Sequence, residues 1–219
     1  MAIPICCFCD PIFAIGACVN ITISKLKENS MNQPIYDSIL ARRSVRDFLA
    51  KPVEPEKIDK LLKAAMAAPS ACNLQPWTFI VIDDPKILEQ VKASTTQGQY
   101  NAPLAVAICG VYHHIPWEGG GWSVDCGMAA QNMMLQAVEL GLGSVCIASY
   151  DEDKLREILS IPEDIQPLVL IEFGYPARVP VSHTWYTDEA VHRNGFDSKK
   201  SRAFRTIEML REDSEAGLM

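Results

Sequence analysis

The feature that most narrows the folds open to this chain is the run from Ser123 to Leu140. Cys126, Met128, Ala129, Ala130, Met133, Met134, Leu135, Ala137, Val138 and Leu140 leave little room for a polar face. A helix apolar on all sides is buried on all sides, either at the centre of a domain or against a second subunit. A methionine-rich helix is also at home in an ordinary core. Either way, the remaining elements must be arranged around it. The 219 residues suit one domain large enough to do so.

Those elements are legible in order. Pro34 to Ala41 is weakly helical. Glu56 to Ala67 carries one apolar stripe, Ile58, Leu61, Leu62, Ala65 and Met66, between Pro55 and Pro69 as start and stop signals. Thr78 to Ile82 is a β run. Pro85 to Ala93 is a short helix capped by Asp83 or Asp84. Leu104 to Cys109 suits a buried strand. Gly141 stops the central helix, and a strand follows to Ile147. Asp151 to Leu159 is a helix capped by Asp151, and Leu168 to Phe173 a strand. Glu172 does not fit a fully buried position in that strand. The 94–103 stretch reads as a loop, and the aromatics and glycines of 112–122 suit either a loop near a planar substrate or ordinary surface loop.

The formal charge of −7 argues against generic nucleic-acid binding. Of eight cysteines, Cys72, Cys109, Cys126 and Cys146 stand alone in apolar surroundings and read as small hydrophobes, which suits a reducing, cytoplasmic setting. Residues 1–23 are apolar and cysteine-rich, but Pro4, Pro11, Asp10 and Asn20 interrupt them. They fit neither a signal peptide nor a membrane span, so no membrane partner is expected. Cys6, Cys7, Cys9 and Cys18 follow no established metal or iron–sulfur spacing. Adjacent His113 and His114 would point to opposite faces of a strand, so no metal is expected. Met31 precedes the patterned sequence. The expected division is therefore an extension at 1–30, a domain at 31–196 and a charged tail at 197–219. In this division the native chain starts near Met31.

Two polar stretches carry the chemistry. Arg42, Arg43 and Arg46 surround Ser44 where the first helix ends. Guanidinium groups with a hydroxyl form a donor set for a phosphate monoester. The plain alternative is a solvated basic turn paired with Asp37, Asp47 or Glu54. The second stretch, Pro-Ser-Ala-Cys-Asn-Leu-Gln-Pro-Trp at 69–77, offers Ser70, Asn73 and Gln75 between a core helix and a core strand, a suitable place for a ligand. The chain has no G-x-S-x-G, no zinc-type histidine pair, no Walker loop and no G-x-G-x-x-G after a strand. Hydrolytic chemistry and a stable Rossmann site are thus disfavoured.

Together the Arg-x-Ser-x-Arg element and the Pro-Ser-x-x-Asn-x-Gln-Pro-Trp element resemble the nitroreductase family of FMN enzymes. The likeness extends from Ile35 to about Phe196, through Asp-x-Gly-x-Ala at 125–129, Gly-Tyr-Pro at 174–176 and His-Arg-Asn-Gly-Phe at 192–196. It implies an α+β fold, three-layer α/β/α with a central mostly antiparallel sheet, in an intertwined homodimer. It implies FMN held by Arg42, Arg43, Ser44 and Arg46, with backbone of Ala148 and Ser149 near the ring. Pro69, Ser70 and Asn73 would reach the flavin bound mainly by the other subunit. Family members usually carry a basic residue after Gly-Tyr-Pro; here Arg178 or His183 would complete the phosphate site.

The activity implied is hydride transfer from NADH or NADPH through flavin N5 to a small acceptor, such as a nitroaromatic, quinone or flavin, by a ping-pong mechanism. No side chain is nominated as an obligatory catalytic acid or base. The competing possibilities are an oxygen-using flavin-destroying enzyme or a dehalogenase of the same fold, a flavin store or sensor without turnover, and an iron–sulfur module at Cys6 to Cys18.

Overall fold

The computed structural model describes residues 34–111, 121–180 and 190–196. Its elements in order are α1 (Pro34–Ala41), α2 (Pro55–Met66), a 3-10 turn (Ala71–Asn73), β1 (Trp77–Ile82), α3 (Pro85–Ala93), β2 (Leu104–Val111), α4 (Gly121–Glu139), β3 (Gly143–Ile147), α5 (Glu152–Leu159) and β4 (Ile165–Gly174). The strands form one sheet in the order β1-β2-β4-β3, and every pairing is antiparallel.

The alternation in β2 explains the layering. Side chains alternate across a strand, so the larger Leu104, Val106 and Ile108 face one way and the small Ala105, Ala107 and Cys109 the other. All six are at most 1% exposed. The larger set packs with Ile171 and Phe173 of β4 against Leu61 and Ala65 of α2 and Ala129 and Met133 of α4. The small set lies under Leu88 and Val91 of α3, Leu155 of α5 and Leu170 of β4. Helices cover both faces, which gives the α/β/α architecture expected of an α+β fold. Each large apolar side chain buried this way contributes roughly 1.5–3 kcal/mol.

Local signals set the helix ends. Asp84 caps α3 by accepting from Lys86 N at 2.9 Å and Ile87 N at 3.1 Å. Asp151 caps α5 by accepting from Lys154 N at 3.2 Å. Pro55 opens α2, where its missing N–H costs nothing.

Three sequence expectations change. First, α4 is not buried all round within one chain. Cys126, Ala130, Met133 and Ala137 face the core. Val124, Gln131 and Glu139 are exposed, and Met128, Leu135 and Val138 are half-buried. Second, Glu172 is buried, at 2% exposure. It stands between Ala105 and Val145 in the sheet. Third, Cys72 and Cys146 are exposed, while Cys109 and Cys126 are buried as small hydrophobes.

Candidate cofactor site

The arginine segment crosses one end of the sheet. It begins where α1 stops, with Arg42 N bonded to Ser38 O at 3.0 Å. Ser44 then bridges Ser144 on the outer edge of β3, and Val45 N donates to Ser144 O at 3.0 Å. Four residues on, Phe48 bridges Pro176 just past the end of β4. Two apolar side chains pin the segment, Val45 at 3% and Phe48 at 2% exposure. Two glycines opposite each other in the ladder make room for them. A Cβ on Gly143 would lie 2.7 Å from Val45, and one on Gly174 would lie 3.0 Å from Phe48. With Val45 and Phe48 turned inward, Arg46 and Asp47 are exposed, and Arg42, Arg43 and Ser44 are half-buried.

The antiparallel bridge between Phe48 and Pro176 also brings Arg178 in. Ala177 N donates to Asp47 O at 2.9 Å, and Leu49 N to Tyr175 O at 2.8 Å. That register sets Arg46 opposite Arg178 on neighbouring backbones. Among the described residues none of Arg42, Arg43, Arg46 and Arg178 has a carboxylate partner; the ion pairs there are Lys51–Glu54, Lys63–Asp59, Lys154–Asp151 and Arg156–Glu152. The solvated turn paired with Asp37, Asp47 or Glu54 is therefore not what forms. Arg43 is turned back, donating to the Leu40 carbonyl and to Arg42 O at 2.7 Å. It caps the C-terminal end of α1, where a cation is favoured by the helix dipole. Arg46 makes one long contact, to Ser44 O at 3.3 Å. Charges left without partners at one place suit an incoming anion.

Pro69, Ser70 and Asn73 form a different structure. Ser70 Oγ accepts from Gln75 N at 3.0 Å, and Asn73 Oδ1 from Gln75 Nε2 at 3.1 Å. Cys72, Asn73 and Gln75 have φ of 50°, 55° and 49°, in the left-handed region. Such residues persist only where surroundings hold them, and they gather at ligand clamps. The holder here is Asp125 of α4, 5% exposed, whose carboxylate accepts from Ala71 N at 3.1 and 3.3 Å. Pro69 and Asn73 remain exposed and Ser70 half-buried. Sequence reasoning missed Asp125 as an anchor; its signal was a carboxylate in the first part of a mostly apolar run.

Within one chain the two motifs do not meet. The turn is tied to Asp125 near the start of α4. The arginine segment is tied to its other end, where Ser38 Oγ donates to Glu139. At 1.5 Å per residue those anchors stand roughly 21 Å apart along the helix. A cavity of about 180 Å³ lies beside the segment, lined by Arg43, Val45, Gly143, Ser144, Pro176 and Val179 among others. That is below the roughly 300–1,000 Å³ of ordinary small-molecule sites. A larger cavity of about 740 Å³, lined by Val53, Leu88, Lys92, Asn101 and Leu104 among others, touches none of the residues expected to bind cofactor.

Ala148 and Ser149 follow β3 and are exposed. Thr96 N holds Ser149 O at 3.0 Å. They lie along the same sheet edge as Ser44, four residues past Ser144 or about 13 Å in an extended strand. His183, His113, His114, most of the 97–121 loop's far end and Cys6 to Cys18 lie outside the described residues. Among the described residues no three His, Cys, Asp or Glu side chains gather to hold a metal. No helix there is long and apolar enough to cross a membrane.

Known proteins resemble this chain in sequence and fold. A family model described as the nitroreductase family matches residues 39–108 and 121–175, including both motifs and stopping short of Arg178. A protein of Methanothermobacter thermautotrophicus, provisionally named an NADH dehydrogenase/NAD(P)H nitroreductase, is 37% identical over 72% of this chain and 85% of its own. The crystal structure of a nitroreductase family protein from Clostridium difficile 630 superposes with a TM-score of 0.68 at 30% identity, covering 76% of this chain and all of that one. An FMN-dependent nitroreductase from Clostridium difficile R20291 superposes with a TM-score of 0.61 at 34% identity, over 73% of this chain and 98% of that one.

Proposed function

This chain belongs to the nitroreductase family and is an oxidoreductase; from that premise we propose that it binds FMN and moves electrons from NADH or NADPH to a small acceptor such as a nitroaromatic, quinone or free flavin. One observation carries the cofactor assignment. Arg42 and Arg46 flank Ser44 in the segment that crosses the end of the sheet, and the backbone register sets Arg178 opposite Arg46, none of the three being ion-paired to a carboxylate among the described residues. A phosphate monoester is the anion that planar bidentate donors with a hydroxyl recognise. Arg42, Arg43, Ser44 and Arg46 would hold the ribityl phosphate and the polar edge of the ring between them, with Arg178 as the basic residue after Gly-Tyr-Pro that completes the phosphate site. Backbone groups of Ala148 and Ser149 would meet the ring at the far end of the β3 edge. When bound, FMN supplies the redox chemistry, accepting a hydride and returning electrons to a second substrate at the same place.

Pro69, Ser70 and Asn73 would contribute from the other subunit of a homodimer. Two observations support this. The motifs stand at opposite ends of α4, and the cavity beside the arginines is too small to enclose a flavin. The surface also offers a partner face: Ile35, Tyr36 and Ile39 of α1 are 74%, 52% and 47% exposed, and Val124 of α4 is 61% exposed. Val124, Met128, Gln131, Leu135 and Val138 fall on one side of α4 at helical spacing, opposite the buried stripe. Residues 31–196 carry this activity in our reading, with 1–30 and 197–219 outside the catalytic domain.

The first test is the absorption spectrum of the purified protein before and after NADH or NADPH. Flavin bands that bleach with the nicotinamide and return in air are expected. Absence of flavin bands after incubation with FMN would overturn the assignment. The shared site is tested by mixed dimers of Arg46→Ala with Asn73→Ala. If each site joins the segment of one subunit to the turn of the other, a mixed dimer regains one intact site. A double variant mixed with wild type then keeps none. The opposite pattern would place both motifs in one subunit's site.

A further inference from the structure

Asp125 holds the 70–75 turn, and its place on α4 decides which flavin site that hold can serve. Ser70 heads the 3-10 turn, but its hydroxyl caps nothing there; Oγ accepts from Gln75 N at 3.0 Å, across the loop. The first N–H of the turn, on Ala71, therefore needs an acceptor from elsewhere in the chain. Both oxygens of Asp125 supply it, at 3.1 and 3.3 Å. The Asp125 side chain is buried, and a carboxylate out of water stays put only where it accepts a hydrogen bond.

What this contact holds is a strained piece of backbone. Cys72, Asn73 and Gln75 all have φ near +50°. Residues with a Cβ enter that region at a cost, so the turn would relax toward ordinary φ if released. The strain has a product. Gln75 Nε2 donates to Asn73 Oδ1 at 3.1 Å, which leaves Asn73 Nδ2 as the donor that this exposed turn presents. Relaxation of the backbone would carry that donor away.

The position of Asp125 along α4 adds a direction. Asp125 lies fourteen residues before Glu139, the end of α4 to which Ser38 ties the arginine segment. That is roughly 21 Å along the helix. Asp125 is thus in contact with the turn of its own chain and out of reach of that chain's arginine segment.

We propose that Asp125 is a positioning residue that acts across the subunit boundary: by holding its own 70–75 turn, it sets the hold on flavin at the partner's arginine segment and leaves the flavin at its own segment untouched. This rests on the FMN assignment and the shared site above. A donor already set in place binds without the cost of ordering it.

The test uses mixed dimers of full-length chains, co-expressed with two different affinity tags and titrated with FMN to count sites of wild-type affinity. Asp125→Ala homodimers are expected to bind FMN about tenfold more weakly, ~1.4 kcal/mol. Mixed with Arg46→Ala, Asp125→Ala is expected to regain one wild-type site per dimer, because the unaltered turn and the unaltered segment then meet. Mixed with Asn73→Ala it should regain none, because both turns are damaged. Merely structural damage to the Asp125→Ala subunit would prevent rescue in either mixture, and that result overturns the inference. Rescue by Asn73→Ala and not by Arg46→Ala, or full FMN affinity in the Asp125→Ala homodimer, overturns it too. The mixture of Arg46→Ala with Asn73→Ala is the control: no site regained there overturns the shared-site reading, and this inference with it. If Asp125→Ala does not fold, Asp125→Asn, which keeps the shape and one accepting oxygen, decides in the same mixtures. A loss of about threefold with the same pattern of rescue is then expected, and no loss overturns the inference.

Discussion

Glu172 offers a direct test of how the sheet is packed. It is 2% exposed, and its Oε2 has no hydrogen-bond partner among the described residues. Burial pushes its carboxyl up from 4.5 to about 8, with Lys92 pulling the other way. Lys92 donates to Ala102 O at 2.6 Å, and burial lowers its pKa while Glu172 raises it. The unfolded chain releases the Glu172 proton near pH 4.5, whereas the native state keeps it to about pH 8. Between those values the unfolded state binds fewer protons, so stability falls as pH rises. At 1.36 kcal/mol per pH unit, the loss over that interval is at most about 5 kcal/mol, with about 3 already gone at pH 7. Glu172→Gln keeps the shape and removes the titration. The variant should match wild type near pH 5 and exceed it by about 3 kcal/mol at pH 7 and up to about 5 at pH 9. Urea unfolding at the three pH values, at one protein concentration and ionic strength, reads this difference. Titrating groups that do not face Glu172 are common to both proteins and cancel; Lys92, whose charge Glu172 favours, is the coupled one. A constant offset from pH 5 to pH 9 would refute the buried neutral acid.

Three further substitutions probe the site and its frame. Gly143→Ala places a methyl 2.7 Å from Val45, so overpacking should cost about 1–3 kcal/mol in unfolding experiments and lift the arginine segment, weakening FMN in titration. Arg46→Ala should weaken FMN about tenfold or more by removing a charge-assisted contact, and unchanged flavin occupancy would count against its place in the cofactor site. Asp84→Ala removes the two cap bonds of α3 and should cost about 1 kcal/mol of stability, with flavin affinity unmoved in the same titration.

Most of the fold is legible because its signals are local. Prolines, aspartate caps and apolar stripes mark α2, α3 and α5 to within a residue or so, and the short unbroken apolar run of β2 marks a buried strand. The positive-φ turn at 72–75 was not legible, since Cys72, Asn73 and Gln75 are not glycines and the cause is Asp125, some fifty residues away. Glu172 reads as a misfit, but its burial follows from its neighbours across the sheet on β2 and β3, which no local pattern reveals. Motif order points to the family, and not to where the parts stand, because spacing along a chain counts residues and not ångströms.

The element that best explains both outcomes is α4. Its inner stripe of Cys126, Ala130, Met133 and Ala137 builds the core, and its two ends anchor the two motifs. Its 19 residues make a rod of roughly 28 Å. A rod of that length cannot bend to bring its ends together, which is the reason for proposing that the site is closed by a second subunit. The same rod leaves Val124, Met128, Leu135 and Val138 on its outer side, next to the exposed apolar residues of α1 in composition and need. In the proposed homodimer, covering that stripe and completing the flavin site are therefore one event. Anything that binds only the assembled form stabilises it by mass action. Flavin binding and dimerisation should accordingly be linked: FMN strengthens association, and association strengthens the hold on FMN by the same factor.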